Sequence, residues 1–368
     1  MSTPDRVLIA GGGTAGHVLP GLAVAEVLVE RGTPAEGIHF VGAEGRIEAE
    51  LVPAAGFDIT LLPGRGVQRR LTLQNVGAVA GLLVAVLRAI RLVRRRRPRV
   101  VLALGGFASV ACALAAVLWR VPLVIADQNA RAGASNRLVA RFARACAVPF
   151  PDTDLPRAVV TGNPVRAEIL AVAAERDVAG ARRELGLDPD RTVVVVFAGS
   201  LGSRRINEAT YGAARALADR RDLAIYHVVG ARDWDDRAEV PTDGLSYVQV
   251  RYSDRMELVL AAADLAVCRS GGTTVAELAV VGVPAVLVPL PIATRDHQTA
   301  NAGPLVRAGA AVLVPDDELD TDRLLGELRT LTEGDRLAAM ATAARELGRP
   351  DAARAVADLL VDAASGRS

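Results

Sequence analysis

The chain has no lysine. All 43 Lys+Arg positions are arginine, set against 42 Asp+Glu, for a formal net charge of +1. So even a balance excludes the global basic field of a dedicated nucleic-acid binder, and the arginine bias reflects a GC-rich coding sequence more than a function. Aromatic residues are only 3%, too few for stacking platforms on single-stranded nucleic acid. The three cysteines, Cys112, Cys146 and Cys268, are scattered and form no CxxC pair. They exclude a disulfide framework and a zinc site, and fit a reducing compartment. The apolar run Val76 to Leu87 falls well short of the ~20 residues a spanning helix needs. The segment Met1 to Arg6 leads straight into a strand-like run, so no signal peptide is expected. Hydrophobic residues make up 51% and charged residues 23%. That composition is globular, neither disordered nor collagen-like.

The chain is 368 residues long. At roughly 150 residues per domain, two domains are expected. Apolar runs read as strands at Val7 to Ala10, Ile38 to Val41, Val100 to Leu104, Leu123 to Ala126 and Ala158 to Thr161. The pattern restarts after Pro164, with strands at Thr192 to Ala198, Ala224 to Val229, Tyr247 to Val250, Leu265 to Cys268, Ala285 to Val288 and Ala311 to Val314. Between them lie Ala/Leu/Arg-rich segments with helical spacing. One holds Leu22, Ala23, Glu26 and Val27 and closes at Gly32, where a helix C-cap wants glycine. This alternation predicts an α/β fold of two doubly wound, Rossmann-like domains facing a cleft. The expected domains are 1–164 and 165–350, with a C-terminal helix at 351–364 that packs back on the first.

Gly11, Gly13 and Gly16 make a literal G-x-G-x-x-G after the first strand. A nicotinamide enzyme also wants an acid at the end of the second strand, and Glu44 comes slightly late for that. His17, at the mouth of this loop and the start of a helix, is a plausible general base, because the helix N-terminus disfavours imidazolium. His39 and His227 lie within strands and read as packing residues. The second signal is Cys268 to Glu277, where a strand ends in a small-residue turn that opens a helix near Thr273. Such a terminus suits a diphosphate, and Glu277, one turn inside, suits a ribose diol. A capping box from Thr274 to Glu277 is the alternative reading. The third signal is Asp296 to Asn301, where Gln298 and Asn301 could meet sugar hydroxyls. Polar clusters at Asp127-Gln128-Asn129, Gly162 to Arg166 and Gly199 to Gly202 occupy matching positions past strand ends.

In their order and spacing these motifs resemble the MurG family of peptidoglycan N-acetylglucosaminyltransferases, over almost the whole chain. The motifs are Gly12 to Val18, Asp127 to Asn129, Asn136 to Leu138, Gly162 to Arg166, Gly199 to Gly202, Arg269 to Gly271 with Thr274 to Glu277, and Gln298 with Asn301. The resemblance implies a glycosyltransferase B fold. It implies an inverting, UDP-N-acetylglucosamine-dependent hexosyltransferase that acts on lipid I to form lipid II in peptidoglycan synthesis. Cell-wall biogenesis of this kind serves cell shape and division. In the second domain it places Ser200 and Gly272, Thr273, Thr274 and Val275 at the diphosphate, the backbone of Ser253 near uracil, Glu277 on ribose and Gln298 on the sugar. Thr14, Ala15, Gly16, Asn129 and Arg166 would complete the donor site. His17 would deprotonate the acceptor's 4-hydroxyl, with Asp127 the next candidate base.

Phe107, Asp127 and the Gly271-Gly272 pair depart from the family pattern, where Tyr, Glu and Gly-Ala are usual. The first-domain departures fall on the acceptor side. The competing readings are a UDP-sugar transferase with another acceptor, a UDP-sugar epimerase of similar fold, and a nicotinamide or non-catalytic nucleotide binder. No Asp-x-Asp pair lies near the donor motifs, so neither an obligatory metal nor a cofactor is expected; UDP-N-acetylglucosamine is a substrate. Arg65, Arg69 and Arg70, the apolar run with Leu71, Leu73, Val76, Val79, Leu82, Leu83, Val86 and Leu87, and then Arg88, Arg91, Arg94 to Arg97 and Arg99 concentrate charge beside greasy residues. This suits a peripheral enzyme on the anionic cytoplasmic face of the membrane. A core helix followed by solvated arginines is the plainer alternative.

Overall fold

A computed structural model of the chain describes residues 6–63 and 74–366. They divide into a first unit that ends at Arg166 and resumes at Arg349, and a second spanning Ala167–Gly348. In the first unit the elements run β1 (Val7–Gly11), α1 (Ala15–Glu30), β2 (Ile38–Ala43), α2 (Glu48–Ala54), β3 (Asp58–Leu62), α3 (Gln74–Arg96), β4 (Val100–Gly105), α4 (Phe107–Leu118), β5 (Leu123–Ala126), α5 (Ala134–Val139), β6 (Ala145–Val148) and β7 (Ala158–Val160). The second unit contributes α6 (Ala167–Ala174), α7 (Val178–Glu184), β8 (Thr192–Phe197), α8 (Arg204–Ala216), β9 (Leu223–Val228), β10 (Ser246–Val250), α9 (Met256–Ala262), β11 (Leu265–Cys268), α10 (Gly272–Val281), β12 (Ala285–Leu287), α11 (His297–Arg307), β13 (Ala311–Leu313), α12 (Thr321–Leu331) and α13 (Arg336–Leu347). The chain then returns to the first unit as α14 (Ala352–Ser365).

Among the described residues the first sheet orders its strands β3-β2-β1-β4-β5-β6-β7 and the second β10-β9-β8-β11-β12-β13, with parallel pairing throughout. Each parallel sheet is covered on both faces, which is why its central strands are apolar without alternation. In the first sheet, Leu8, Ala10, Val101 and Ala103 share a core with Ala85, Ala89 and Val93 of α3 and the buried face of α4. Their neighbours Val7, Ile9, Val100 and Leu102 share the other core with α1 and with Val356, Ala357 and Leu360 of α14. Ion pairs Arg31–Asp358 at 2.6 Å and Arg354–Glu30 at 3.1 Å add a polar margin between α1 and α14.

The doubly wound class and every strand read from the sequence are present, with ends shifted by at most two residues. Two further strands escaped that reading, β3 and β6. β3 lies at the sheet edge and is half polar, while β6 is the alanine-rich Ala-Cys-Ala-Val. Neither carries a strong strand signal. Gly32 ends α1 as expected of a glycine at that position. It takes φ +97°, its N–H reaches Val29 O, and Thr33 N reaches Leu28 O. The strand order reverses between β1 and β4, and again between β8 and β11. Loops at the carboxyl ends of strands beside such a reversal form the natural ligand crevice of each unit.

Candidate functional site

In the first unit, β1 ends at Gly11 and α1 begins at Ala15, with Thr14 at the N-cap position. His17 therefore lies in the first turn of α1. Its Nδ1 is 3.1 Å from Gly12 O and 3.3 Å from the Thr14 hydroxyl. A carbonyl can only accept, so Nδ1 carries the proton and Nε2 the basic lone pair. The ring lies against the backbone at Gly105, the last residue of β4; a Cβ there would come within 3.2 Å of His17 Nε2 and 3.5 Å of Asn136 Nδ2. Thr14 is exposed, whereas Ala15, Gly16, Asn129 and Arg166 are half-buried.

Asp127, just past β5, is buried and fully engaged. Oδ1 accepts from Asn129 N at 3.0 Å, and Oδ2 from Gly133 N at 2.9 Å and Asn136 Nδ2 at 2.8 Å. Three donors on one carboxylate make it an organiser of this loop. The shorter acid still holds the turn before α5.

Glu48 is the residue that sequence reasoning missed. It opens α2, is 1% exposed, and points back under the glycine loop. Both its oxygens accept from Gly13 N, at 3.1 and 3.0 Å, and Oε1 also accepts from Ala43 N at 2.9 Å. A Cβ on Gly12 or Gly42 would overlap its side chain. Those glycines thus make room for an internal carboxylate, and the amide that a dinucleotide phosphate would use at Gly13 already has an anion. The nicotinamide reading of the loop loses its footing. The only local signal was an acid four residues beyond Glu44, in a helix that could not be placed from the sequence.

In the second unit four loops meet around the β8–β11 reversal. Ser203 caps α8, and its Oγ accepts from Arg269 Nη2 at 2.7 Å. The Arg269 guanidinium also donates to Val288 O at 3.1 Å, Pro289 O at 3.0 Å and Asp316 Oδ1 at 2.6 Å. One arginine thus ties the loops after β8, β11, β12 and β13 together. α10 starts at Gly272, with Gly271 at its N-cap, and its first i→i−4 bond is Val275 N to Gly271 O at 2.9 Å. Gly272, Thr273, Thr274 and Val275 thus form the positive end of this helix. Thr274 is its third residue and cannot cap it, so the capping-box alternative is excluded. Glu277 is 8% exposed, one turn in.

Gln298, at the start of α11, accepts from Leu290 N through Oε1 at 2.9 Å, which leaves its amide N–H groups to donate. Asn301 is fully buried and donates to Ser270 O at 3.1 Å. It braces the loop before α10 and does not present itself to a sugar, which corrects the expectation for it. Ser200 is exposed after β8, and Ser253 half-buried after β10. Arg295 and Asp296, with φ of +57° and +52°, form a left-handed step that aims the start of α11.

The other strand histidines are packing residues. His227 bonds Tyr247 Oη at 2.8 Å and Asn207 Oδ1 at 3.0 Å, and burial pushes its pKa down to about 3. His39 bonds Thr60 Oγ1 at 2.7 Å; burial, then the nearby Arg96 charge, lower its pKa to about 4.

Comparison with known proteins gives a consistent result. Residues 7–148 match the glycosyltransferase family 28 N-terminal domain, and residues 193–356 its C-terminal domain. The UDP-N-acetylglucosamine--N-acetylmuramyl-(pentapeptide) pyrophosphoryl-undecaprenol N-acetylglucosamine transferase of Alkalilimnicola ehrlichii is 43% identical over 97% of this chain and 99% of its own. The crystal structure of Acinetobacter baumannii MurG superposes with a TM-score of 0.78 at 30% identity, covering 97% of this chain and 99% of that one. A UDP-GlcNAc 2-epimerase from Neisseria meningitidis shares the fold at a TM-score of 0.67, but only 14% identity over 97% of this chain and 100% of that one.

Proposed function

This chain belongs to glycosyltransferase family 28, and we propose that it moves N-acetylglucosamine from UDP-N-acetylglucosamine to the undecaprenyl-diphosphate-linked N-acetylmuramoyl-pentapeptide, lipid I, forming lipid II. The observation that carries this reading is full-length identity of 43% to a transferase named for that reaction. The second unit would hold the donor. The α10 N-terminus suits the diphosphate, Glu277 the ribose diol, Gln298 the sugar, and the backbone at Ser253 the uracil. Thr14, Ala15, Gly16, Asn129, Arg166 and Ser200 complete the proposed set.

His17 Nε2 takes the proton of the acceptor's 4-hydroxyl as that oxygen attacks the anomeric carbon. The new C–O bond forms opposite the breaking bond to phosphate, whose electron pair leaves on UDP. The developing charge on that oxygen is stabilised by the helix dipole and backbone amides of α10. One displacement turns the α-linked donor into a β-linked product.

We place the enzyme peripherally on the cytoplasmic face of an anionic membrane. α3 turns Ala85, Ala89 and Val93 inward and leaves Leu83, Val84 and Leu87 exposed, with Arg88, Arg91 and Arg94 to Arg97 exposed beyond them. Leu114, Val117, Leu118 and Trp119 of the neighbouring α4 end are exposed too, and Arg94 lies 5.6 Å over the Trp119 ring. Arg65, Arg69, Arg70, Leu71 and Leu73 lie outside the described residues, as do the side chains of Val76, Val79 and Leu82. No described helix is long and apolar enough to cross a membrane. The test of function is product mass after incubation with UDP-N-acetylglucosamine and a soluble lipid I analogue. A mass increase of one N-acetylhexosamine is expected. Donor epimerisation without acceptor consumption would support the epimerase reading instead.

A further inference from the structure

Gly12 O and Gly13 N belong to one peptide group, and the two ends of that group are held by two different side chains. On the N–H side is the Glu48 carboxylate, with both oxygens within 3.1 Å of Gly13 N. On the C=O side is His17 Nδ1, at 3.1 Å from Gly12 O. The order is carboxylate, peptide N–H, peptide C=O, imidazole N–H. We infer that Glu48 is a positioning residue for His17, acting through the Gly12–Gly13 peptide as an acid acts directly on the histidine of a catalytic dyad. The inference rests on the reading of His17 as the base.

The physical argument has three steps. A carboxylate accepting from the peptide N–H pushes electron density toward its carbonyl oxygen, because amide resonance couples the two ends and chained hydrogen bonds polarise one another. A more negative Gly12 O holds the Nδ1–H tautomer, so the lone pair stays on Nε2. It also stabilises the imidazolium that forms when Nε2 takes a proton, which is what an orienting acid does for a base. Burial makes the effect larger. Glu48 is 1% exposed, and charge there acts at lower effective dielectric than in water.

The surrounding glycines fit this purpose. Gly12 and Gly42 leave space that a Cβ would take from Glu48, and a Cβ on Gly106 would lie 2.7 Å from Gly12 O. The relay is thus packed from both sides. Gly106 stands at φ +84°, a left-handed conformation that suits glycine.

The test is Glu48→Gln, which keeps shape and removes charge. Steady-state kinetics should show kcat lowered about 10- to 100-fold, the range for groups that orient a histidine from behind, with KM for UDP-N-acetylglucosamine unchanged. In a His17→Ala background the same substitution should lower kcat no further, since residues that act as a unit are not additive. Unchanged kcat in Glu48→Gln, or an equal further loss in the double variant, overturns the relay. If Glu48→Gln does not fold, the 15N spectrum of His17 in the unsubstituted protein decides. A Nδ1–H tautomer is expected, and a Nε2–H tautomer overturns the relay. Failure of the base reading is separate, because it shows as near-normal turnover in His17→Ala alone.

Discussion

Glu277 makes the sharpest single-residue case. It is nearly buried one turn inside the helix whose N-terminus is proposed for the diphosphate. Removing a ligand hydrogen bond to a charged group costs about 1.5–3 kcal/mol. Calorimetry on Glu277→Ala should therefore show UDP binding weaker by roughly 10- to 150-fold with the fold intact, and unchanged affinity would remove Glu277 from the ribose. Residues of this kind were legible because a strand, a small-residue turn and a helix start are all local patterns. Glu48 was not, and although Arg269 stood in a motif its partners were not, since both depend on which loops the folded sheet brings together. A sequence window around Glu48 shows only one acid at a helix start. Asp127 and Asn301 were legible as polar residues past strand ends, yet burial and hydrogen bonding to neighbouring loops make them braces.

Among the elements, α3 carries the most testable surface. Small residues pack it to the sheet, and its outer face changes from aliphatic to basic along its length. The helix is packed on one side and greasy or charged on the other. Each arginine near an anionic surface contributes about 1 kcal/mol, so replacing Arg94 to Arg97 with Gln should weaken binding to anionic vesicles by on the order of a hundredfold or more. Co-sedimentation should need anionic lipid and fall with salt. Equal sedimentation with neutral and anionic vesicles would assign those arginines to solvent alone.

For the whole molecule, the fold class was legible because parallel sheets covered on both faces write themselves as repeated apolar runs separated by helical segments. β3 and β6 were hidden for the opposite reason: an edge strand and an alanine-rich strand owe their state to neighbours. The buried histidines also contribute to the loss of stability in acid. His227 and His39 have folded pKa values lowered to about 3 and about 4 from 6.5. The unfolded chain therefore binds more protons as pH falls below that ordinary value, and stability is lost from there down toward the folded values. The loss approaches about 1.4 kcal/mol per pH unit for each histidine. Denaturant melts between pH 7 and 4 should show this decline, and His227→Gln should flatten it. The central claim is that one direct displacement, with His17 as base, builds the product. Turnover on UDP-N-acetylglucosamine and a lipid I analogue, compared between the unsubstituted protein and His17→Ala, tests it most directly. The account predicts a β-linked disaccharide product, and kcat lowered about 10²–10⁴-fold in the variant with UDP affinity unchanged. An α-linked product, or near-normal kcat in His17→Ala, would contradict it.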